Sequence, residues 1–184
     1  MILEEFKNFL SQELCNSLIE LSLDDLGDTE TLGEQIDDYR LAQGTFLDNN
    51  EGVASIISQK VSELLSLPTE NFENLHVVKY EVGGEYKTHH DFFHETENYY
   101  GEQIDRGGQR IFTTLIYLND TFLGGETDFP LLSKKIKPET GKLVVWSNID
   151  ENGECDHDSL HAGLPVLEGT KYIAVFWIRE SKFI

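Results

Sequence analysis

Residues 80 to 91, YEVGGEYKTHHD, place two tyrosines, two glycines, two adjacent histidines and an aspartate in one short stretch. In extended chain, His89 and Asp91 project from the same face, so both can reach one ion. A His-x-Asp pair alone is a weak signal and needs a further donor. The segment DHDSLHAGLPV offers two, His157 and His161, ahead of a final strand. His161 is the better placed, because HAGLPV is a small-residue segment able to enter a closed site. His157, flanked by Asp156 and Asp158, reads as a solvated loop residue. Two histidines and one carboxylate leave open positions on Fe(II), which suits an ion that must take a bidentate cosubstrate and dioxygen. Zinc would favour a tetrahedral set without that open face.

A keto acid such as 2-oxoglutarate would chelate the iron at one end. Its far carboxylate then needs a buried cation and hydroxyl donors in a narrow pocket. Lys171, ten residues past His161 at the head of KYIAVFWI, is the candidate cation. The alternative for such a residue is a strand-edge lysine reaching into water.

The elements that must position these groups change character along the chain. Residues 12–22 carry Leu14, Cys15, Leu18, Ile19 and Leu21 close to a helical stripe, with Ser11 as N-cap. Residues 24–52 have no clean period and read as loop, with a short strand near GTFL. A second helix is marked by Val53, Ile56, Ile57, Val61, Leu64 and Leu65, and Pro68 is expected to close it. From there on, short β-branched and aromatic runs alternate with turns: LHVVKYEV, RIFTTLIYLN, KLVVWSN and KYIAVFWIRE. Gly83 and Gly84 let the backbone turn before the ligand strand, and Gly124-Gly125 is expected to make a tight hairpin. Helices followed by many strands predict an α+β fold in which the helices back a sheet of a sandwich or jelly roll. We expect residues 1–70 to form a helical support region and 71–184 the jelly-roll core of one integrated domain.

Charge narrows the partners. Thirty-four acidic against fourteen basic residues give a formal charge of −20, which repels phosphate backbones and anionic membranes. No nucleic-acid or membrane partner is expected, and no apolar run is long enough to span a bilayer. With Cys15 and Cys155 as the two cysteines and an acidic start, MILEEFKNFL, the expected location is cytoplasmic.

The chain resembles the prolyl 4-hydroxylase branch of the Fe(II)- and 2-oxoglutarate-dependent dioxygenases. That family's pattern Tyr-x-x-Gly-x-x-Tyr-x-x-His-x-Asp is met by Tyr80, Gly83, Tyr86, His89 and Asp91 in register. The match runs on through GGQRIFTTLIYLND, GGETDFP, KPETGKLVVWS, DSLHAGLPVLEGTKY and FWIR, across roughly residues 40 to 180. The resemblance implies a double-stranded β-helix with helices on its major sheet, and iron held by His89, Asp91 and His161. It implies 2-oxoglutarate held by Lys171 with Tyr80 and Thr127, and peptide-side contacts at Tyr86, Arg110 and Trp177, the last near the iron as the catalytic-site residue. Dioxygen is the oxidant, succinate and CO2 the coproducts, and ascorbate a reductant that rescues the iron. From the residues alone, Tyr86 and Trp177 could equally be core aromatics, and Arg110 an exposed strand residue paired with any of many carboxylates.

Three departures from the family pattern bear on the substrate. His90 stands between the ligands where an aromatic is usual, Tyr172 follows the lysine in place of tryptophan, and Arg179 occupies a position where some relatives carry histidine. The polar segment HETENYYGEQIDRGG is expected to form a mobile flap over the site. The expected activity is hydroxylation of a prolyl residue, at C4, in a cytosolic protein or proline-rich peptide. The alternatives are hydroxylation of a free amino acid or other small molecule, and a non-catalytic metal-binding jelly-roll module. Succinate release from 2-oxoglutarate separates enzyme from module.

Overall fold

The computed structural model describes residues 1–29 and 40–184. Its strands are β1 (Leu3–Phe6), β2 (Gly27–Asp28), β3 (Gln43–Leu47), β4 (Leu75–Tyr80), β5 (Tyr86–His89), β6 (Arg110–Tyr117), β7 (Leu123–Gly124), β8 (Thr127–Phe129), β9 (Lys134–Ile136), β10 (Leu143–Ser147), β11 (His161–Gly163), β12 (Val166–Glu168) and β13 (Lys171–Arg179). Its helices are α1 (Gln12–Ser22), α2 (Gly52–Leu65) and α3 (Tyr100–Asp105). The major sheet runs β1-β10-β6-β13-β4-β3-β2, the minor sheet β5-β11-β8-β9, and β12 pairs with β7.

Period-2 alternation divides the major sheet into two faces. On β13, Ala174, Phe176 and Ile178 join the apolar cluster that includes Cys15 and Leu18 of α1 and Ile57 and Val61 of α2. The intervening Ile173, Val175 and Trp177 belong to a second cluster with Tyr80, Leu115, Tyr117 and Trp146, closed by Phe129, Ile136 and Val166 from the other sheets. One face therefore packs on helices and the other faces the minor sheet, as expected for helices on the major sheet of a jelly roll.

Local chemistry sets the helix ends. The Ser11 hydroxyl accepts the Leu14 N–H at 3.3 Å, capping α1. Helix α2 ends at Ser66, which takes a left-handed conformation with φ 55° and donates its N–H to the Ser62 carbonyl. Pro68 follows and blocks resumption, so the stop lies two residues before the proline expected to close the helix.

Other differences come from long-range pairing. The N-terminal stretch forms an edge strand, with Leu3 opposite Trp146. Within 24–52, GTFL lies in β3 as expected, and β2 pairs with it; residues 30–39 lie outside the described residues. Gly124 and Gly125, at φ 75° and 67°, do not close a hairpin. The chain instead passes from β7, paired with β12, to β8, paired with β11. Two left-handed residues offset the chain enough for each side to find a distant partner. A Cβ at Gly124 would lie 2.4 Å from the Pro165 carbonyl oxygen, so the crossover requires glycine.

Candidate active site

Strand β5 delivers His89 and strand β11 delivers His161, and the two histidines are register partners in an antiparallel pair. Asp91 follows just beyond β5. One donor atom from each of His89, Asp91 and His161 lies within 4.8 Å of the others. The His89 Nε2 is 3.7 Å from Asp91 Oδ1, and the His161 Nε2 is 3.5 Å from Asp91 Oδ2. Both rings are oriented from behind. The Nδ1 of His89 is 2.7 Å from the Lys87 carbonyl and that of His161 is 2.8 Å from the Ser159 carbonyl, so Nδ1–H donates and each Nε2 lone pair is free for an ion. His157 sits on an exposed turn outside this cluster.

The electrostatics favour metal-ready protonation states. Burial, reinforced by the neighbouring His161, lowers the His89 pKa to about 3, leaving a neutral imidazole. Burial pushes the Asp91 carboxyl up, but His161, His89, Arg110 and the Thr113 hydroxyl outweigh it, so Asp91 stays ionised. Thr113 Oγ1 donates to Asp91 Oδ2 at 2.7 Å and accepts from Asn148 Nδ2 at 2.9 Å. Two imidazoles, one of them held neutral at His89, and an ionised carboxylate on one side of a point suit a divalent ion with an open opposite face, the donor chemistry of Fe(II).

Behind His89, Asp91 and His161 runs a narrow chamber lined by Tyr80, Leu115, Thr127, Lys171 and Val175 among others. Lys171 is 1% exposed and points inward, as an anion-binding cation requires and a strand-edge lysine would not. Its Nζ donates to the Gly125 carbonyl at 2.7 Å and stands 4.9 Å from the Tyr80 ring. Burial lowers its pKa to about 7, with Glu126 opposing weakly. Thr127 is held by Tyr117, whose hydroxyl is 2.7 Å from Thr127 Oγ1.

In front of the ligands lies an open cleft of about 1140 Å³, lined largely by aromatic and arginine side chains. Tyr86 stacks on His89 with ring centroids 3.5 Å apart, and Arg40 lies 4.6 Å above the Tyr86 ring. Arg110 is tied to Glu73 through Nε at 2.7 Å and Nη2 at 2.8 Å, and its guanidinium lies 4.0 Å over Trp177. The flap segment contains α3 and lines the cleft through His94, Glu97, Tyr99, Gln103 and Arg106.

Sequence reasoning missed Thr113, Tyr117, Asn148, Glu73 and Arg40. A signal existed for two of them: Thr113, Leu115 and Tyr117 share one face of β6 by period 2, the face that carries the chamber wall. Glu73 and Asn148 had none, because their partners are contributed by distant strands.

Residues 75–179 match the 2OG-Fe(II) oxygenase superfamily. The chain is 36% identical over 177 residues to a candidate prolyl 4-hydroxylase of Acanthamoeba polyphaga mimivirus, covering 96% of this chain and 73% of that protein. Prolyl 4-hydroxylase 2 of Arabidopsis thaliana is 34% identical over 205 residues, covering 97% of this chain and 67% of the relative. The crystal structure of a viral collagen prolyl hydroxylase from Paramecium Bursaria Chlorella virus-1, in complex with 2OG, superposes with a TM-score of 0.78 at 30% identity. That superposition covers 97% of this chain and 96% of that one.

Proposed function

Because the chain belongs to the 2OG-Fe(II) oxygenase superfamily, we propose that it is a prolyl 4-hydroxylase acting on a proline-containing peptide or protein. The observation that carries this reading is that His89 and Asp91 of the His89–Asp91–His161 cluster line both the chamber that holds the buried Lys171 and the open cleft. When bound, Fe(II) with 2-oxoglutarate and dioxygen supplies oxidation of an unactivated C–H bond, with succinate and CO2 as coproducts.

The chain's own groups hold and shield. His89, Asp91 and His161 hold the iron, with Thr113 and the Lys87 and Ser159 carbonyls fixing their orientation. Lys171 neutralises the far carboxylate of 2-oxoglutarate, and Tyr80 and Thr127 add hydroxyl donors. Leu115, Ile173 and Val175 keep water out of the chamber. Trp177, at the boundary between chamber and cleft, limits access to the reacting carbon, while Tyr86 and Arg110 flank the peptide. No side chain is required as a nucleophile.

The cleft is much larger than a free amino acid needs, which favours a peptide substrate over the small-molecule alternative. The free thiols Cys15 and Cys155 suit a reducing compartment such as the cytoplasm. Among the described residues no helix is long and apolar enough to cross a membrane. Ascorbate is expected to sustain turnover by keeping the iron reduced.

The test is mass spectrometry of a proline-containing peptide library after incubation with Fe(II), 2-oxoglutarate and ascorbate, with His161→Ala as control. One oxygen gained on proline, resolved as the C4 product by amino-acid analysis, supports the reading. Succinate formation with no peptide oxidised, or consumption of free proline instead, overturns it.

A further inference from the structure

Strands β6 and β13 carry Arg110 and Arg179 as register partners. Two guanidinium groups side by side on neighbouring strands repel unless a carboxylate lies between them. Glu73 is that carboxylate. Its Oε1 accepts from the Nε of Arg110 at 2.7 Å and the Nε of Arg179 at 2.6 Å, and its Oε2 accepts from Arg110 Nη2 at 2.8 Å. The Phe93 ring packs against both arginines, 4.8 Å from one guanidinium and 4.5 Å from the other.

Arg179 is fully buried, and its remaining donors point away from the sheet. Its Nη1 donates to the Gln103 carbonyl at 2.9 Å and the Gly108 carbonyl at 2.7 Å, and its Nη2 donates to the Gln103 side-chain oxygen at 3.2 Å. Those acceptors belong to α3 and to the glycine turn that follows it, the C-terminal end of the flap. Gln103 and Arg106 of the same segment line the cleft.

We propose that Arg179 is a positioning residue of the substrate cleft: it pins the C-terminal end of the flap to β13 and, through Glu73, holds Arg110 against Trp177. This rests on the reading of the cleft as the peptide site. The fork geometry of a guanidinium is what allows one side chain to bond a carboxylate on one edge and two backbone carbonyls on another. A histidine, with two ring nitrogens, cannot make these four bonds at once. Lysine can keep the charge beside Glu73, but as a point donor it cannot span to both carbonyls.

The experiment compares Arg179→Lys and Gln103→Ala with the wild-type enzyme, loaded with Fe(II), by hydrogen exchange and steady-state kinetics. In Arg179→Lys, amide exchange across residues 103–108 is expected to rise about tenfold, the factor set by one lost charge-assisted hydrogen bond. The peptide KM is expected to rise by a similar factor, while the KM for 2-oxoglutarate stays within about twofold. Gln103→Ala is expected to move both readouts in the same direction by less, and it carries the test alone if Arg179→Lys fails to fold. Unchanged flap exchange in both variants overturns the proposal, as does a parallel rise in both KM values, which marks a general loss of structure. If the wild-type enzyme oxidises no peptide, the prolyl hydroxylase reading falls, and the exchange measurement still decides whether Arg179 pins the flap.

Discussion

Replacing Lys171 by methionine is expected to raise the stability of the protein and to disable its cosubstrate site. The ammonium group is buried with no carboxylate of the described residues in contact, and burial lowers its pKa from 10.5 to about 7. At about 1.4 kcal/mol per pH unit, that corresponds to a penalty on the order of 5 kcal/mol for folding around the charge. Methionine fills nearly the same volume without a charge. It forfeits the bond to the Gly125 carbonyl, which offsets about 1–3 kcal/mol of the gain. The net expectation is a stabilisation of about 3 kcal/mol, or a Tm higher by roughly 6–12 °C for a chain of this size. The sign of the pH dependence follows from the depressed folded pKa. Below about pH 7 the lysine is protonated in both states and the penalty is fully present. Between about 7 and 10.5 the unfolded chain holds the extra proton, so wild-type stability rises with pH and the advantage of the variant fades. Thermal unfolding monitored by circular dichroism at pH 6 and pH 10, without 2-oxoglutarate, measures this directly. The same substitution is expected to raise the KM for 2-oxoglutarate at least about a hundredfold, because its far carboxylate is left buried without a counterion. A variant no more stable than wild type at pH 6, with a KM for 2-oxoglutarate within twofold, would refute the reasoning.

Other perturbations test the neighbouring groups. In the wild-type enzyme the KM for 2-oxoglutarate is expected to climb above pH 7, approaching about tenfold per unit as Lys171 must first regain its proton; a flat profile from pH 6 to 9 would contradict this. Thr113→Val removes the 2.7 Å bond to Asp91 and is expected to weaken Fe(II) or Mn(II) binding by about 10–100-fold, read by calorimetric titration. Gly125→Ala forces a side chain onto a residue at φ 67°, with its Cβ 3.0 Å from Lys171 Cδ, and is expected to raise the KM for 2-oxoglutarate about tenfold through displacement of the lysine. Burial holds the Cys15 thiol up at about 11 with no exposed surface, so a maleimide reagent is expected to label Cys155 in the native protein and Cys15 only after denaturant is added.

The ligand stretch was legible in the sequence because its chemistry is local. His89 and Asp91 share a face through strand geometry, Gly83 turns the chain at φ 83° where a side chain would be strained, and Ser11 caps a helix whose stripe is read off by counting. The run KYIAVFWIRE was likewise legible as a strand, but that Ala174, Phe176 and Ile178 meet the helices while Ile173, Val175 and Trp177 face the minor sheet was not, because both sides are apolar. The edge strand at residues 3–6 was not legible, because LEEF has no apolar run and is strand only through its pairing with β10. The crossover at Gly124-Gly125 was misjudged for the same kind of reason: two left-handed glycines fit a hairpin equally well until distant partners are specified.

What the sequence by itself determined is the donor set, the period of each element and the presence of a lysine that could meet an anion, all properties of residue type and near-neighbour spacing. Tertiary structure alone decided that His161 stands opposite His89, that Glu73 serves two arginines at once, and that Lys171 faces the chamber rather than water. The physical reason is that register and side-chain partner depend on contacts between distant segments: His89 and His161 are 72 residues apart, Lys171 and Gly125 46, and Glu73 is 37 and 106 residues from its two arginines. Burial then turns those contacts into chemistry, by excluding the water that would otherwise satisfy each group on its own.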